Sequence, residues 1–241
     1  EVPCFFVQHS AVTKAFPSLI TSYALLEGKD SLHKYFPNRY NKDKVFLIGS
    51  PKFDKHYKYL NKKRFITKLG ICSTLSLKKE QVIALIQQIQ NRIPSIEIIL
   101  RPHPAEFIKG IFQVNESLTN VSISNSLKED SFYYLRNVDA IISGNSSILL
   151  EASMMNVFPI FWNDNQSIAK YNDNPADKYD FIKNDLASPC DSIAEIIDCL
   201  EKFKEKKPNV RNNASFYIEN INTDWDGNSS NYAATIIKSN I

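Results

Sequence analysis

The segment AIISGNSSILLEA at residues 140–152 passes from an unbroken apolar run through a polar turn into a helix pattern. Apolar residues without polar alternation suit a strand covered on both faces, as in a parallel sheet. Gly144 allows a tight turn and Asn145 tolerates left-handed backbone, so a sharp corner is expected there. Ser146 and Ser147 then fall at the start of the helix, where hydroxyls and free backbone N–H groups can hold an anion, helped by the helix dipole. Glu151 lies one turn inward of Ser147 on the same face, and a carboxylate there can accept hydrogen bonds from a ribose diol. The plainer account of these residues is helix capping by Asn145 or Ser146, with Glu151 in solvent.

Working outward, the same alternation continues along the chain. CFFVQ (4–8), KVFLIGS (44–50), SIEIIL (95–100), VSIS (121–124) and VFPIFW (157–162) read as strands, and SYALLEG (22–28) and FITKLGICST (65–74) less cleanly so. KKEQVIALIQQIQNRI (78–93) carries apolar residues at helical spacing and stops at Pro94. Residues 31–36, 128–137, 191–206 and a stretch near 229–238 also read as helices, and 163–180 as a polar loop. Short apolar strands alternating with helices indicate an α/β fold with a largely parallel sheet.

In such a sheet, ligands bind beyond the carboxyl ends of the strands. IEIILRPHPAEF (96–107) places Arg101 and His103 there, on a turn stiffened by Pro102 and Pro104. Arg101 offers a bidentate fork for phosphate or carboxylate, and His103 a hydrogen bond to a phosphate oxygen. VQHS (7–10) ends another strand in a histidine, and His9 is expected to face the same cleft from a neighbouring domain. In LIGSPKFD (47–54), Gly49 and Ser50 would bring backbone N–H groups near a ligand, and Asp54 would serve as a cap. His33 and His56 lie in Lys- and Tyr-rich, surface-like segments and are taken as structural.

Composition narrows the function classes. The 29 basic and 26 acidic residues give a net charge of +3, which argues against a dedicated nucleic-acid binder. Cys4, Cys72, Cys190 and Cys199 form no C-x-x-C pair, so neither a zinc site nor a disulfide framework is signalled, and free, mostly buried thiols are expected. Sequons such as those at Asn115, Asn120 and Asn145 carry little weight in a chain rich in Asn and Ser. No run is long and apolar enough for a membrane-spanning helix. No D-x-D metal motif is read from the sequence, the segments at 163–165 and 172–174 being weak candidates, so metal-independent chemistry is the expectation.

The order QH, GSPKFD, RPHP, DAIISGNSS-x-x-x-EA and FPIFW resembles the later half of a GT-B glycosyltransferase. The similarity is to the group that builds bacterial surface polysaccharides: sialyltransferases and polysialyltransferases with HP and Ser-Ser motifs, capsule Kdo transferases, and CDP-glycerol glycerophosphotransferases with R-x-H-P. It covers residues 44–165 well and 1–43 loosely. The resemblance implies a Rossmann-like parallel sheet with helices on both faces at 44–241, the donor-binding domain, preceded at 1–43 by the end of an acceptor domain. It implies a cytoplasmic enzyme, at the inner face of a membrane in the case of capsule enzymes, using a CMP- or CDP-linked donor, a glycan acceptor and no further cofactor. His103, next to Pro104, would contact the donor phosphate, Ser146 and Ser147 would bind the phosphate or a sugar carboxylate, and Glu151 would hold the ribose.

Two departures matter. Sialyltransferases of this group carry an acidic D/E-D/E-G motif for the general base, and LLEGKD (25–30) does not match it, so the base is expected in sequence preceding this chain. A second resemblance, to UDP-GlcNAc 2-epimerases, rests on their D-S-G-x-x-x-E-E-A segment, but Leu150–Glu151 stands here in place of the Glu-Glu pair. A third reading is a non-catalytic GT-B-like module that binds a nucleotide or a glycan. The oligomeric state is not legible.

Overall fold

The computed structural model describes residues 2–38, 40–75, 77–112, 121–163 and 177–241. Asn115, Asn120, Asp164 and most of the polar loop expected at 163–180 lie outside the described residues. The chain divides into two compact units, residues 1–59 with 211–241, and residues 60–210. The boundary expected at 43/44 therefore falls at 59/60, and the last thirty or so residues, assigned from sequence to the donor domain, belong to the first unit. The cause is pairing that local pattern does not reveal. Strand β3 (Val45–Leu47) pairs with β2 (Tyr23–Leu26), not with the strands that follow it.

The first unit is a three-stranded parallel sheet in the order β1-β2-β3, with β1 at Phe5–Val7. Helix α1 (Lys29–Tyr35) buries Leu32 and Tyr35 with Ala24, Leu26 and Val12. Leu25 and Ile48 pack instead with Ala233 and Ile236 of the C-terminal helix, Ser229–Ser239. Asp54, in the 3-10 helix Pro51–Tyr59, caps that C-terminal helix by accepting from the Ser229 and Ser230 N–H groups at 2.9 and 2.7 Å. Arg211 and Asp226 add a bidentate ion pair at 2.7 and 2.8 Å.

The second unit is a six-stranded, wholly parallel sheet: β4 (Lys68–Cys72), β5 (Glu97–Arg101), β6 (Val121–Ile123), β7 (Ala140–Ser143), β8 (Phe158–Trp162) and β9 (Ser188–Cys190). Their order is β6-β5-β4-β7-β8-β9, which counted within the unit is 3-2-1-4-5-6, the Rossmann order. Helices cover both faces. On one, α2 (Lys79–Arg92) and α6 (Ile193–Phe203) pack Leu85, Ile86, Ile89, Ile196 and Leu200 against Leu69, Ile71, Ile98, Ile142 and Ile160. On the other lie α4 (Ser131–Leu135) and α5 (Ile148–Met154). There Gly70 leaves room for Tyr134: a Cβ on Gly70 would come within 2.2 Å of the Tyr134 hydroxyl, which donates to the Ile99 carbonyl at 2.9 Å.

At the amino edge of this sheet sits Asp139, buried just before β7. Burial works against its charge, but donors outweigh it. The N–H groups of Thr67 and Lys68 donate at 3.0 Å each, the Thr67 hydroxyl at 2.9 Å and the Asn61 amide at 3.1 Å. Together they hold the carboxyl below its usual range. Nearby, Lys207 donates to the Asn156 carbonyl at 2.6 Å, and burial brings its pKa down to about 8, partly offset by Asp139.

Three stability predictions follow from these contacts. Asp139→Asn should cost about 1–3 kcal/mol at neutral pH, since a buried acceptor of several N–H groups loses its charge. Its folded pKa is depressed, so the stabilisation is present above the unfolded value and lost below it; the gap between wild type and variant in urea should close as pH falls below about 4. Lys207 acts in another window. Between about 8 and the unfolded value near 10.4 the unfolded chain binds more protons, so stability should rise with pH there, and Lys207→Met should flatten that slope. Gly70→Ala should destabilise by about 1–3 kcal/mol through overpacking against Tyr134, read as a lower Tm.

Candidate functional site

The strand order reverses between β4 and β7, and this switch point leaves a crevice at the carboxyl edge where open α/β sheets bind ligands. Three chain segments leave the edge side by side: Ser73–Thr74 after β4, Pro102–Pro104 after β5 and Gly144–Ser147 after β7. Cys72 pairs in register with both Arg101 and Ser143, so the three exits are level with one another.

The turn after β5 is the most constrained of them. His103 is the N-cap of a five-residue helix, α3 (Pro104–Ile108), which sequence reading did not anticipate. Pro104 takes the first helical position, where its missing N–H costs nothing. The His103 carbonyl accepts from the N–H groups of Glu106 and Phe107 at 2.8 and 2.9 Å. The His103 N–H in turn faces two acceptors, Ser73 Oγ at 3.0 Å and Glu106 Oε2 at 3.1 Å, and Ser73 and Glu106 are hydrogen-bonded to each other. Within the ring, Nδ1 accepts from the Ala105 N–H at 3.2 Å. A neutral imidazole that accepts at Nδ1 carries its proton on Nε2, so Nε2–H is the donor left to the half-buried outer side of the ring.

Arg101 behaves differently from the sequence expectation. It is the last residue of β5 and only 9 % exposed. One arm donates to Ser124 Oγ at 2.9 Å, the other to the Glu129 carbonyl at 2.8 Å, and the guanidinium lies 5.1 Å from the centre of the Tyr134 ring. Both arms of the fork expected for a ligand thus tie β5 to the segment before α4.

The loop after β7 also departs in detail. Neither Gly144 nor Asn145 adopts left-handed backbone. Gly144 is needed for space instead: a Cβ there would meet Thr74 Oγ1 at 3.1 Å, so the loops after β4 and β7 run in close contact. Helix α5 begins at Ile148 rather than 146, with Ser147 as its N-cap. Ser146 Oγ accepts from the Ile148 N–H at 3.4 Å, while the Ser147 hydroxyl makes no capping bond. Glu151, expected in solvent on the plainer account, is 8 % exposed on α5. Cys72, beneath these loops, has its thiol pushed up to about 12 by burial, which keeps it protonated and chemically quiet.

His9, Gly49 and Ser50 stand in the first unit. His9 is exposed after β1. Gly49 has a φ of +69° and its Cα lies against Asn220; a Cβ would fall 2.2 Å from Asn220 Oδ1. Ser50 is buried and donates to Glu27 at 2.9 Å, and Gln8 completes that network by accepting from the Glu27 N–H at 2.9 Å. His56 is buried, not at the surface as its segment suggested. Asp224-Trp225-Asp226 has D-x-D spacing that sequence reading passed over; Asp226 is committed to Arg211. Among the described residues no group of three or more His, Cys, Asp or Glu side chains is placed to hold a metal ion, and no helix is long and apolar enough to cross a membrane.

No protein-family model matches the chain, and no curated protein does. Solved structures do. The wall teichoic acid polymerase TagF aligns with a TM-score of 0.63 at 13 % identity, over 97 % of this chain and 67 % of that one. UDP-GlcNAc 2-epimerase from Neisseria meningitidis, bound to UDP-GlcNAc, aligns at 0.58 with 14 % identity, over 90 % and 62 %. The glycotransferase of kitacinnamycin aligns at 0.57 with 12 % identity, over 91 % and 55 %. This chain spans about two thirds of the length of the first two. At such identities the likeness establishes the fold, and that fold is GT-B-like.

Proposed function

We propose that this chain is the donor-binding part of a GT-B glycosyltransferase, taking a nucleotide-activated donor of the CMP or CDP class and serving a surface-polysaccharide acceptor. The observation that carries the reading is His103 held through Nδ1 at the carboxyl edge of a Rossmann-ordered sheet, which leaves Nε2 as its donor. A phosphate oxygen is the natural acceptor for such a donor, and a leaving phosphate gains from a donor already in position. β7 lies two strands from β5, roughly 10 Å away, a span that a nucleotide can bridge. At the far side of that span the Ser146 and Ser147 hydroxyls suit a second phosphate or a sugar carboxylate, and Glu151 suits a ribose diol. Gly144 lets the loops after β4 and β7 approach each other beneath the ligand. His9 stays a candidate catalytic residue, and Gly49 and Ser50 stay candidates for donor binding, on the order of the motifs along the chain.

Support for the cytidine class comes from the R-x-H-P pattern and from the solved TagF structures, one of them a histidine variant soaked with CDPG. Association with a membrane face is proposed on the same resemblance, and a metal-independent mechanism on the D-x-D reading of the sequence. A second reading, a UDP-GlcNAc epimerase, is favoured by the epimerase structures among the neighbours, and opposed by Leu150 where the resemblance calls for a glutamate.

Calorimetric titration of the chain with CMP, CDP, UDP and UDP-GlcNAc separates the readings. The expected result is binding of CMP or CDP that weakens by about 10- to 100-fold in His103→Ala, the worth of one hydrogen bond to a charged group. Preference for UDP-GlcNAc would select the epimerase. Binding of CMP or CDP that is indifferent to His103→Ala would remove His103 from the site.

A further inference from the structure

Glu106 is a buried carboxylate, 5 % exposed, that no ion pair accounts for among the described residues and that neither motif reading nor resemblance singled out. It sits where two loops meet. Its Oε2 accepts from the His103 N–H at 3.1 Å and is hydrogen-bonded to Ser73 Oγ, which itself accepts from the His103 N–H at 3.0 Å. Ser73 ends the hydrogen-bonded path of β4, its own N–H donating to the Arg101 carbonyl at 3.1 Å. A single carboxylate therefore joins the exit of β4 to the turn after β5.

From this arrangement we infer that Glu106, acting with Ser73, is the positioning residue for His103: it fixes which imidazole nitrogen carries the proton and where that nitrogen points. Helix α3 has five residues and too few internal hydrogen bonds to hold its own start. Pro104 confines His103 to extended backbone angles, φ −56° and ψ 142°, and the pair of acceptors on its N–H ties the turn to the exit of β4. Those angles bring Nδ1 to 3.2 Å from the Ala105 N–H. That bond makes Nδ1 the acceptor and leaves the proton on Nε2. Without Glu106 the N–H keeps only a serine hydroxyl that has lost its own partner. The turn loosens, the ring rotates, and the two tautomers approach equal population. Glutamine at this position keeps an amide oxygen for the His103 N–H, so it should preserve the geometry, as capping boxes do with either residue. The inference rests on the proposed donor binding only for what Nε2–H addresses.

The test reads the ring directly. Long-range proton–nitrogen correlation spectra of the 15N-labelled chain identify the His103 imidazole by its loss in His103→Ala. The wild type should show His103 as the single Nε2–H tautomer. Glu106→Ala and Ser73→Ala should each lose that single pattern, and Glu106→Gln should retain it. A folded Glu106→Ala that keeps the wild-type tautomer would overturn the inference, as would a wild type with the proton on Nδ1. If Glu106→Ala does not fold, Ser73→Ala decides: an unchanged tautomer there overturns the inference too. The spectra need no nucleotide, so failure of the donor reading in the titrations is distinguishable from failure here.

Discussion

The carboxyl edge of the six-stranded sheet takes its geometry from a carboxylate at the opposite edge. Asp139 precedes β7, yet it accepts from the N–H groups of Thr67 and Lys68 at the start of β4. Those bonds set the two central strands in one register, with Leu69 beside Ala140 and Cys72 beside Ser143. A slip of one residue would turn every side chain of β7 to the other face, taking Ile142 off the face covered by α2 and α6 and moving Gly144 away from Thr74. The register at one end thus decides which loops touch at the other. It also explains why a charge is tolerated in an otherwise apolar stretch: five donors, the Lys63 ammonium among them, replace the water lost on burial.

At the functional edge the loops are joined by side chains rather than by regular structure. Ser73, His103 and Glu106 form one connected group, and Arg101 fastens the β5 exit from beneath through Ser124 and the Glu129 carbonyl. A division of labour results within R-P-H-P. The arginine is tied down within the unit, its guanidinium over the Tyr134 ring, while the histidine accepts at Nδ1 from Ala105 and has Nε2 left over. Arginine in such a motif reads from sequence as a phosphate fork, and its neighbours show that both of its arms already donate to Ser124 and to the Glu129 carbonyl.

Where legibility ended is instructive in physical terms. The strands of the second unit could be read because burial on both faces leaves uninterrupted apolar runs, and α2 and α6 because their apolar residues recur at helical spacing. Strand β9 was missed because Ser188–Cys190 is three residues long and contains a proline. The division at 59/60 is not legible because it depends on β3 choosing β2 as partner and on residues 211–241 returning to pack there, and neither is a local property. Glu106 carried a faint signal, an acid three residues after a turn histidine, but capping boxes are sought after Ser, Thr, Asp or Asn. The roles of Gly144 and Gly70 were hidden for a different reason. Each glycine serves a side chain distant in sequence, Thr74 or Tyr134, and not its own backbone angle.

The choice between transferase and epimerase chemistry turns on what faces the phosphate. An epimerase of the type resembled sets two adjacent acids at this helix start. Here α5 supplies Glu151 alone, with apolar Leu150 buried beside it. A group that stabilises a departing phosphate must donate, and a second carboxylate nearby would oppose the charge that develops on the leaving group. The serine hydroxyls at the turn and His103, whose Nδ1 accepts from the Ala105 N–H, are groups able to donate, while Glu151 accepts. On the proposed transferase reading, the tautomer of His103 decides what the turn after β5 can offer a leaving phosphate.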